Sequence, residues 1–93
     1  MKNLQLIVCY NNDCQIFVNS VKEYCKQINL EIITYNEHYY KEKTKAYRIK
    51  GGYSARMTPF MLLERSGKYE KAFYSEDDGC TLDALKCYLE NNG

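Results

Sequence analysis

At 93 residues the chain has room for one domain, spanning 1–93, around one modest hydrophobic core. Hydrophobic residues make up 45% and charged residues 27%, a mixture that excludes a disordered chain. With 13 Lys and Arg against 12 Asp and Glu the formal net charge is +1, so nothing global points to nucleic acid or a membrane as partner.

Met1 to Tyr10 is too short, and too interrupted by Lys2, Asn3 and Gln5, to read as a signal peptide. No apolar run approaches spanning length, and the expected setting is a reducing cytoplasm. The five cysteines are Cys9, Cys14, Cys25, Cys80 and Cys87, with no C-x-x-C and a single histidine, His38. That spacing argues against a secreted disulfide framework and against a zinc ribbon, so no metal site is expected.

Leu4-Gln-Leu-Ile-Val-Cys-Tyr10 reads as a central strand covered on both faces. Asn11-Asn12-Asp13 breaks it. Ile16, Phe17, Val21, Tyr24, Cys25 and Ile28 then recur at helical spacing, opposite Asn19, Lys22, Glu23, Lys26 and Gln27. Asn12 is the expected N-cap, with Gln15 placed as in a capping box, which puts Cys14 in the first helical turn. Leu30 to Tyr35 has strand composition, and strand, helix and strand in succession predict a right-handed βαβ unit. His38 to Lys50 is polar, basic and tyrosine-rich, a predicted helix that ends at Gly51-Gly52. Phe60-Met-Leu-Leu63 is the next strand, Ser66-Gly67 a turn, and Tyr69 to Tyr74 its hairpin partner. Thr81 caps a final helix with Leu82, Leu85, Tyr88 and Leu89 on one face. The order is β-α-β-α-β-β-α.

Cys14 has two readings. A thiol in the first turn of a helix faces free N–H groups and the positive dipole end, which lower its pKa below the free value of about 8.5. Asp13 opposes this by like-charge repulsion. Cys14 is also in phase with Phe17, Val21 and Ile28, as a small buried hydrophobe would be. Cys9 and Cys25 read as core, and Cys87 falls between the helix faces. The segment from Lys41 to Arg56 carries Lys41, Lys43, Lys45, Arg48, Lys50 and Arg56 against Glu42 alone, interleaved with Tyr47 and Tyr53. It reads either as an anion or base-stacking surface or as a solvated helix face, the commoner case.

The only proline, Pro59, heads the Phe60 strand, where its missing N–H is tolerated. A proline before the third strand and a cysteine before the first helix, set in this element order, resemble the thioredoxin/glutaredoxin superfamily. The likeness covers nearly the whole chain and is strongest in YSARMTPFMLLERSGKYEKAFYS, Tyr53 to Ser75, and in the closing helix LKCYLENN, Leu85 to Asn92. DGCTLD, Asp78 to Asp83, is similar to the turn with which glutaredoxins hold the γ-glutamyl end of glutathione. Where the family has C-x-x-C or C-x-x-S, this chain has Cys14-Gln-Ile-Phe17.

The resemblance implies an α/β fold with a four-stranded mixed sheet and helices on both faces. It implies Cys14 as a single nucleophile in thiol–disulfide exchange, and a cis bond between Thr58 and Pro59. The Thr58 backbone is expected to pair with an extended substrate. Gly79 and Cys80 are expected at the glutathione edge, with Cys80 able to pair with Cys14. Lys45 and Arg48 are expected on the glycyl carboxylate of glutathione, a co-substrate and not a tightly bound cofactor. The expected partners are glutathione or a protein thiol or disulfide, with no membrane or nucleic acid, acting on a monomer. The alternative is a thioredoxin-fold binding module without catalysis, holding a protein through the Pro59 groove or the basic 41–56 segment.

Overall fold

The computed structural model of the protein describes residues 3–52, 58–75 and 79–92. Tyr53, Arg56 and Asp78, expected to contribute to the basic segment and the final turn, lie outside the described residues. The described elements are β1 (Leu4–Tyr10), a 3-10 turn (Asn12–Cys14), α1 (Gln15–Gln27), β2 (Glu31–Asn36), α2 (Lys41–Lys50), β3 (Phe60–Arg65), β4 (Lys68–Tyr74) and α3 (Leu82–Asn92). The strands form one mixed sheet in the order β2-β1-β3-β4. β1 runs parallel to β2 and antiparallel to β3, and β3 runs antiparallel to β4. This is the predicted element order and the predicted mixed α/β sheet.

The near-continuous apolar runs follow from this placement. Leu4, Leu6 and Val8 of β1 join Met61 and Leu63 of β3 in a core with Val18, Val21 and Cys25 of α1 and Leu85 and Leu89 of α3. The alternate residues Ile7, Cys9, Phe60 and Leu62 form a second core, against which Tyr35 and Tyr47 pack. Both faces of the two central strands are therefore dry, which removes the polar alternation of a half-exposed strand. Each fully buried Leu, Ile or Val contributes about 1.5–3 kcal/mol.

The element ends are set by local chemistry. α1 closes in a Schellman motif: Asn29 takes a φ of 58°, and the Leu30 N–H reaches the Cys25 carbonyl at 2.9 Å. Between β3 and β4, Ser66 (φ 54°) and Gly67 (φ 80°) make a two-residue turn with both residues left-handed, as strand twist favours. Thr81 caps α3 as predicted, its hydroxyl accepting from the Ala84 N–H at 3.0 Å.

Three local expectations need correction. α2 begins at Lys41 and not at His38, because Asn36 captures the preceding chain. Its side-chain oxygen accepts from the His38 N–H at 2.9 Å, and its carbonyl takes the N–H groups of Tyr39 and Tyr40. Ile16 is 85% exposed, and Val18 takes the inner position instead. Asn11, not Asn12, caps the start of the first helical segment.

Candidate active site around Cys14

The end of β1 turns into α1 through a single 3-10 turn, and that turn aims Cys14. Asn11 stays extended (φ −115°, ψ 175°) and its Oδ1 accepts from the Asp13 N–H at 2.8 Å. The Cys14 N–H closes the turn on the Asn11 carbonyl at 3.0 Å. Asn12 is drawn away: its Oδ1 accepts from Asn36 Nδ2 at 2.6 Å. Gln15 makes no capping box but donates to Asn19 Oδ1 at 3.0 Å. Cys14 thus occupies the N-cap position of α1, half-buried, one turn above Val18 on the inner stripe.

Its surroundings come from three separate parts of the chain. Cys14 lines a cavity of about 390 Å³ together with Asp13, Phe17, Pro59, Ser75, Cys80 and Thr81. The Thr58–Pro59 bond is cis, and the Pro59 carbonyl accepts a hydrogen bond from the Ser75 hydroxyl at the end of β4. Phe17, three residues on from Cys14, forms part of the cavity wall.

A chain of hydrogen bonds ties the thiol to the loop before β3. Cys14 Sγ donates to Asn11 Oδ1 at 3.3 Å, and Asn11 Nδ2 donates to Thr58 Oγ1 at 2.8 Å. The Thr58 hydroxyl in turn donates to Glu37 Oε1 at 3.2 Å. Neither Asn11 nor Glu37 was among the candidates from sequence. The Asn11-Asn12-Asp13 run offered three adjacent side-chain acceptors, and only the folded geometry selects among them.

The remaining candidates divide. Cys80 faces the Cys14 cavity but is only 8% exposed, and burial pushes its thiol up to about 12, partly offset by the Ser75 side chain. Gly79 lines a different hollow, with Phe73, Tyr74 and Tyr88, and its N–H is committed to the Tyr74 carbonyl at 2.9 Å. Lys45 and Arg48 also stand outside the Cys14 cavity. They line a separate one of about 470 Å³ with Lys41, Glu37, Glu42 and Thr44. Glu37, which lines this second cavity, also accepts the hydrogen bond of the Thr58 hydroxyl. Among the other thiols, Cys9 and Cys25 are fully buried and pushed by burial to about 12 and about 11, and Cys87 is exposed.

A parallel β1–β2 pair joined by α1, a hairpin introduced by cis-proline and a cysteine heading the first helix define a thioredoxin fold. No protein-family model matches the chain, and no curated protein matches it. Among solved structures it is similar to Fasciola hepatica thioredoxin, with a TM-score of 0.74, 16% identity, and coverage of 98% of this chain and 82% of that one. It is also similar to a mutant thioredoxin from Halobacterium salinarum NRC-1, with a TM-score of 0.73, 18% identity, and coverage of 96% and 74%. A cysteine-to-serine mutant thioredoxin of Entamoeba histolytica gives a TM-score of 0.72 at 19% identity, covering 98% of this chain and 83% of that one. At these identities the likeness is one of fold. Among the described residues, no helix is long and apolar enough to cross a membrane.

Proposed function

We propose that the protein is a glutaredoxin-like monothiol thiol–disulfide oxidoreductase, with Cys14 as nucleophile and glutathione as the resolving thiol. The observation that carries this reading is the cavity of about 390 Å³ in which Cys14, at the head of α1, shares walls with Pro59. A sulfur there meets the free N–H groups of a helix start and a substrate-sized opening together.

The exchange proceeds in two displacements. Cys14 thiolate attacks the glutathionyl sulfur of a mixed disulfide, the S–S bond breaks, and the substrate thiolate leaves with the electron pair. A second glutathione thiolate then attacks the glutathionyl sulfur on Cys14, releasing glutathione disulfide and restoring the Cys14 thiolate. Phe17 cannot resolve the intermediate, which is why an external thiol enters the reading. The Thr58 main chain pairs with the substrate backbone beside the sulfur. The Gly79–Cys80 turn contacts the γ-glutamyl end through Cys80, while Lys45 and Arg48 take the carboxylate across Glu37.

The test is glutathione-coupled reduction of a glutathionylated peptide, with mass analysis of the protein during turnover. Wild type is expected to carry glutathione on Cys14, and Cys14→Ser to lose both adduct and activity. Full activity in Cys14→Ser overturns the nucleophile assignment. A wild type that forms no adduct and reduces nothing favours the binding module acting through the Pro59 groove or the basic segment.

A further inference from the structure

Asn11 carries more than a cap. Its amide orientation is fixed without reference to the thiol, because a backbone N–H can only donate: the group 2.8 Å from the Asp13 nitrogen must be the oxygen. The same oxygen lies 3.3 Å from Cys14 Sγ. A thiol can donate there, whereas a thiolate would face lone pairs. At the other end of the amide, Nδ2 occupies a lone pair of Thr58 Oγ1, so the Thr58 hydroxyl must send its proton elsewhere. Glu37 Oε1 takes it at 3.2 Å. All the hydrogen bonds therefore point one way, from the sulfur through Asn11 and Thr58 to a carboxylate. Such chains polarise one another and resist reversal.

We propose that Asn11 is a positioning residue that holds Cys14 in its thiol form, aimed at the Pro59 cavity, through a directed hydrogen-bond chain anchored on Glu37. To stabilise the thiolate the amide has to turn over, which breaks its bond to the Asp13 N–H and reverses the Thr58 hydroxyl. The other titratable or charged groups facing Cys14 among the described residues are Asp13 beside it and Cys80 from the segment before α3. Glu37 acts from the end of β2 through Thr58. The catalytic consequence of this inference rests on the exchange function proposed above, but the proton linkage does not.

The experiment follows Cys14 alkylation by iodoacetamide as a function of pH, in a Cys87→Ser background, read by peptide mass analysis. Asn11→Ala removes the acceptor and is expected to lower the pH midpoint by about half a unit to one unit. That is about a threefold to tenfold gain in rate below the midpoint, the net value of one hydrogen bond. Asn11→Asp keeps the acceptor for the Asp13 N–H, preserves a good cap and adds charge, and is expected to raise the midpoint. Glu37→Gln is expected to lower it. Loss of structure alone would expose the sulfur and change the high-pH plateau without moving midpoints in opposite directions. A midpoint in Asn11→Ala that equals or exceeds the wild-type value overturns the proposal, as does one in Asn11→Asp that fails to rise. The profile needs no disulfide substrate, so an inactive wild type leaves this test intact. Unshifted profiles, conversely, remove the role of Asn11 without touching Cys14 as nucleophile.

Discussion

Treating the native protein with iodoacetamide at pH 8 should divide its five cysteines into two reactive and three protected thiols. Cys9 and Cys25 are fully buried and Cys80 is 8% exposed, and burial pushes their thiols to about 12, about 11 and about 12. The thiolate is the reacting species, so at pH 8 only about 1 in 10,000 of Cys9 or Cys80, and about 1 in 1,000 of Cys25, is competent. A free thiol with a pKa of about 8.5 is about one-quarter ionised at that pH. Ionisation alone therefore protects the buried thiols by a factor on the order of 250 to 2,500, before any loss of access. Cys14 is half-buried at the edge of a cavity and Cys87 is exposed, so both can be reached by the reagent. The expected outcome is labelling of Cys14 and Cys87 in the native protein, with the other three labelled only after denaturation. Quenched time points, digestion and mass analysis assign each label to its residue. Labelling of Cys25 as fast as Cys14, or of Cys80 as fast as Cys87, refutes the reasoning.

The same burial makes the fold sensitive to alkali. The thiols of Cys9, Cys25 and Cys80 ordinarily ionise near 9.0 and, folded, hold their protons to about 11 or 12, so their contribution is complete below pH 9 and is lost as pH rises. Stability from urea unfolding should fall by about 1.4 kcal/mol per pH unit for each thiol between pH 9 and 11, and Cys25→Ala should remove one such increment from the slope. At Gly51 an added Cβ would lie 2.5 Å from the Tyr74 hydroxyl and 3.1 Å from Leu62 Cδ1. Gly51→Ala should therefore cost about 1–3 kcal/mol in urea unfolding, partly recovered by Tyr74→Phe. Replacing both Lys45 and Arg48 by Ala should weaken glutathione binding in calorimetry while shifting stability by under about 0.5 kcal/mol. Unchanged binding returns that segment to a solvated helix face.

The strand and helix order was legible because the two central strands are dry on both faces and the helices on one. Leu4 to Tyr10 and Phe60 to Leu63 announce the first as apolar runs, and Val21, Cys25, Leu85 and Leu89 announce the second as stripes. Boundaries were less legible because they depend on which polar side chain wins a particular backbone group. Asn36 halts its chain with an Asx turn and delays α2, and a 3-10 turn moves the cap from Asn12 to Asn11. The same turn sets the phase of α1, turning Ile16 outward and Val18 inward. That Cys14 and Pro59 head the elements bordering one cavity was readable from their places in the chain. The hydrogen bonds of Asn11 and Glu37 to Thr58 were not, since they join residues 47 and 21 positions apart.

On the exchange function proposed above, Cys80 poses a further chemical choice, because it shares the cavity with Cys14 and is the internal thiol placed to resolve a mixed disulfide there. With its thiol at about 12, roughly 1 in 100,000 is thiolate at pH 7, against about 3 in 100 for an external thiol of pKa about 8.5. That is a deficit of about 3,000-fold. The greater nucleophilicity of a more basic thiolate recovers about 50-fold, given a Brønsted coefficient near 0.5. Internal resolution then prevails only if Cys80 meets the intermediate at an effective concentration about 60 times that of the external thiol. Burial and the hold of the Ser75 side chain oppose such an approach. Cys80→Ala should therefore leave glutathione-dependent turnover within about twofold of wild type, and native chains exposed to glutathione disulfide should accumulate the Cys14 adduct. A tenfold loss in Cys80→Ala, together with a Cys14–Cys80 disulfide in the wild-type digest, would show that the buried sulfur resolves the intermediate.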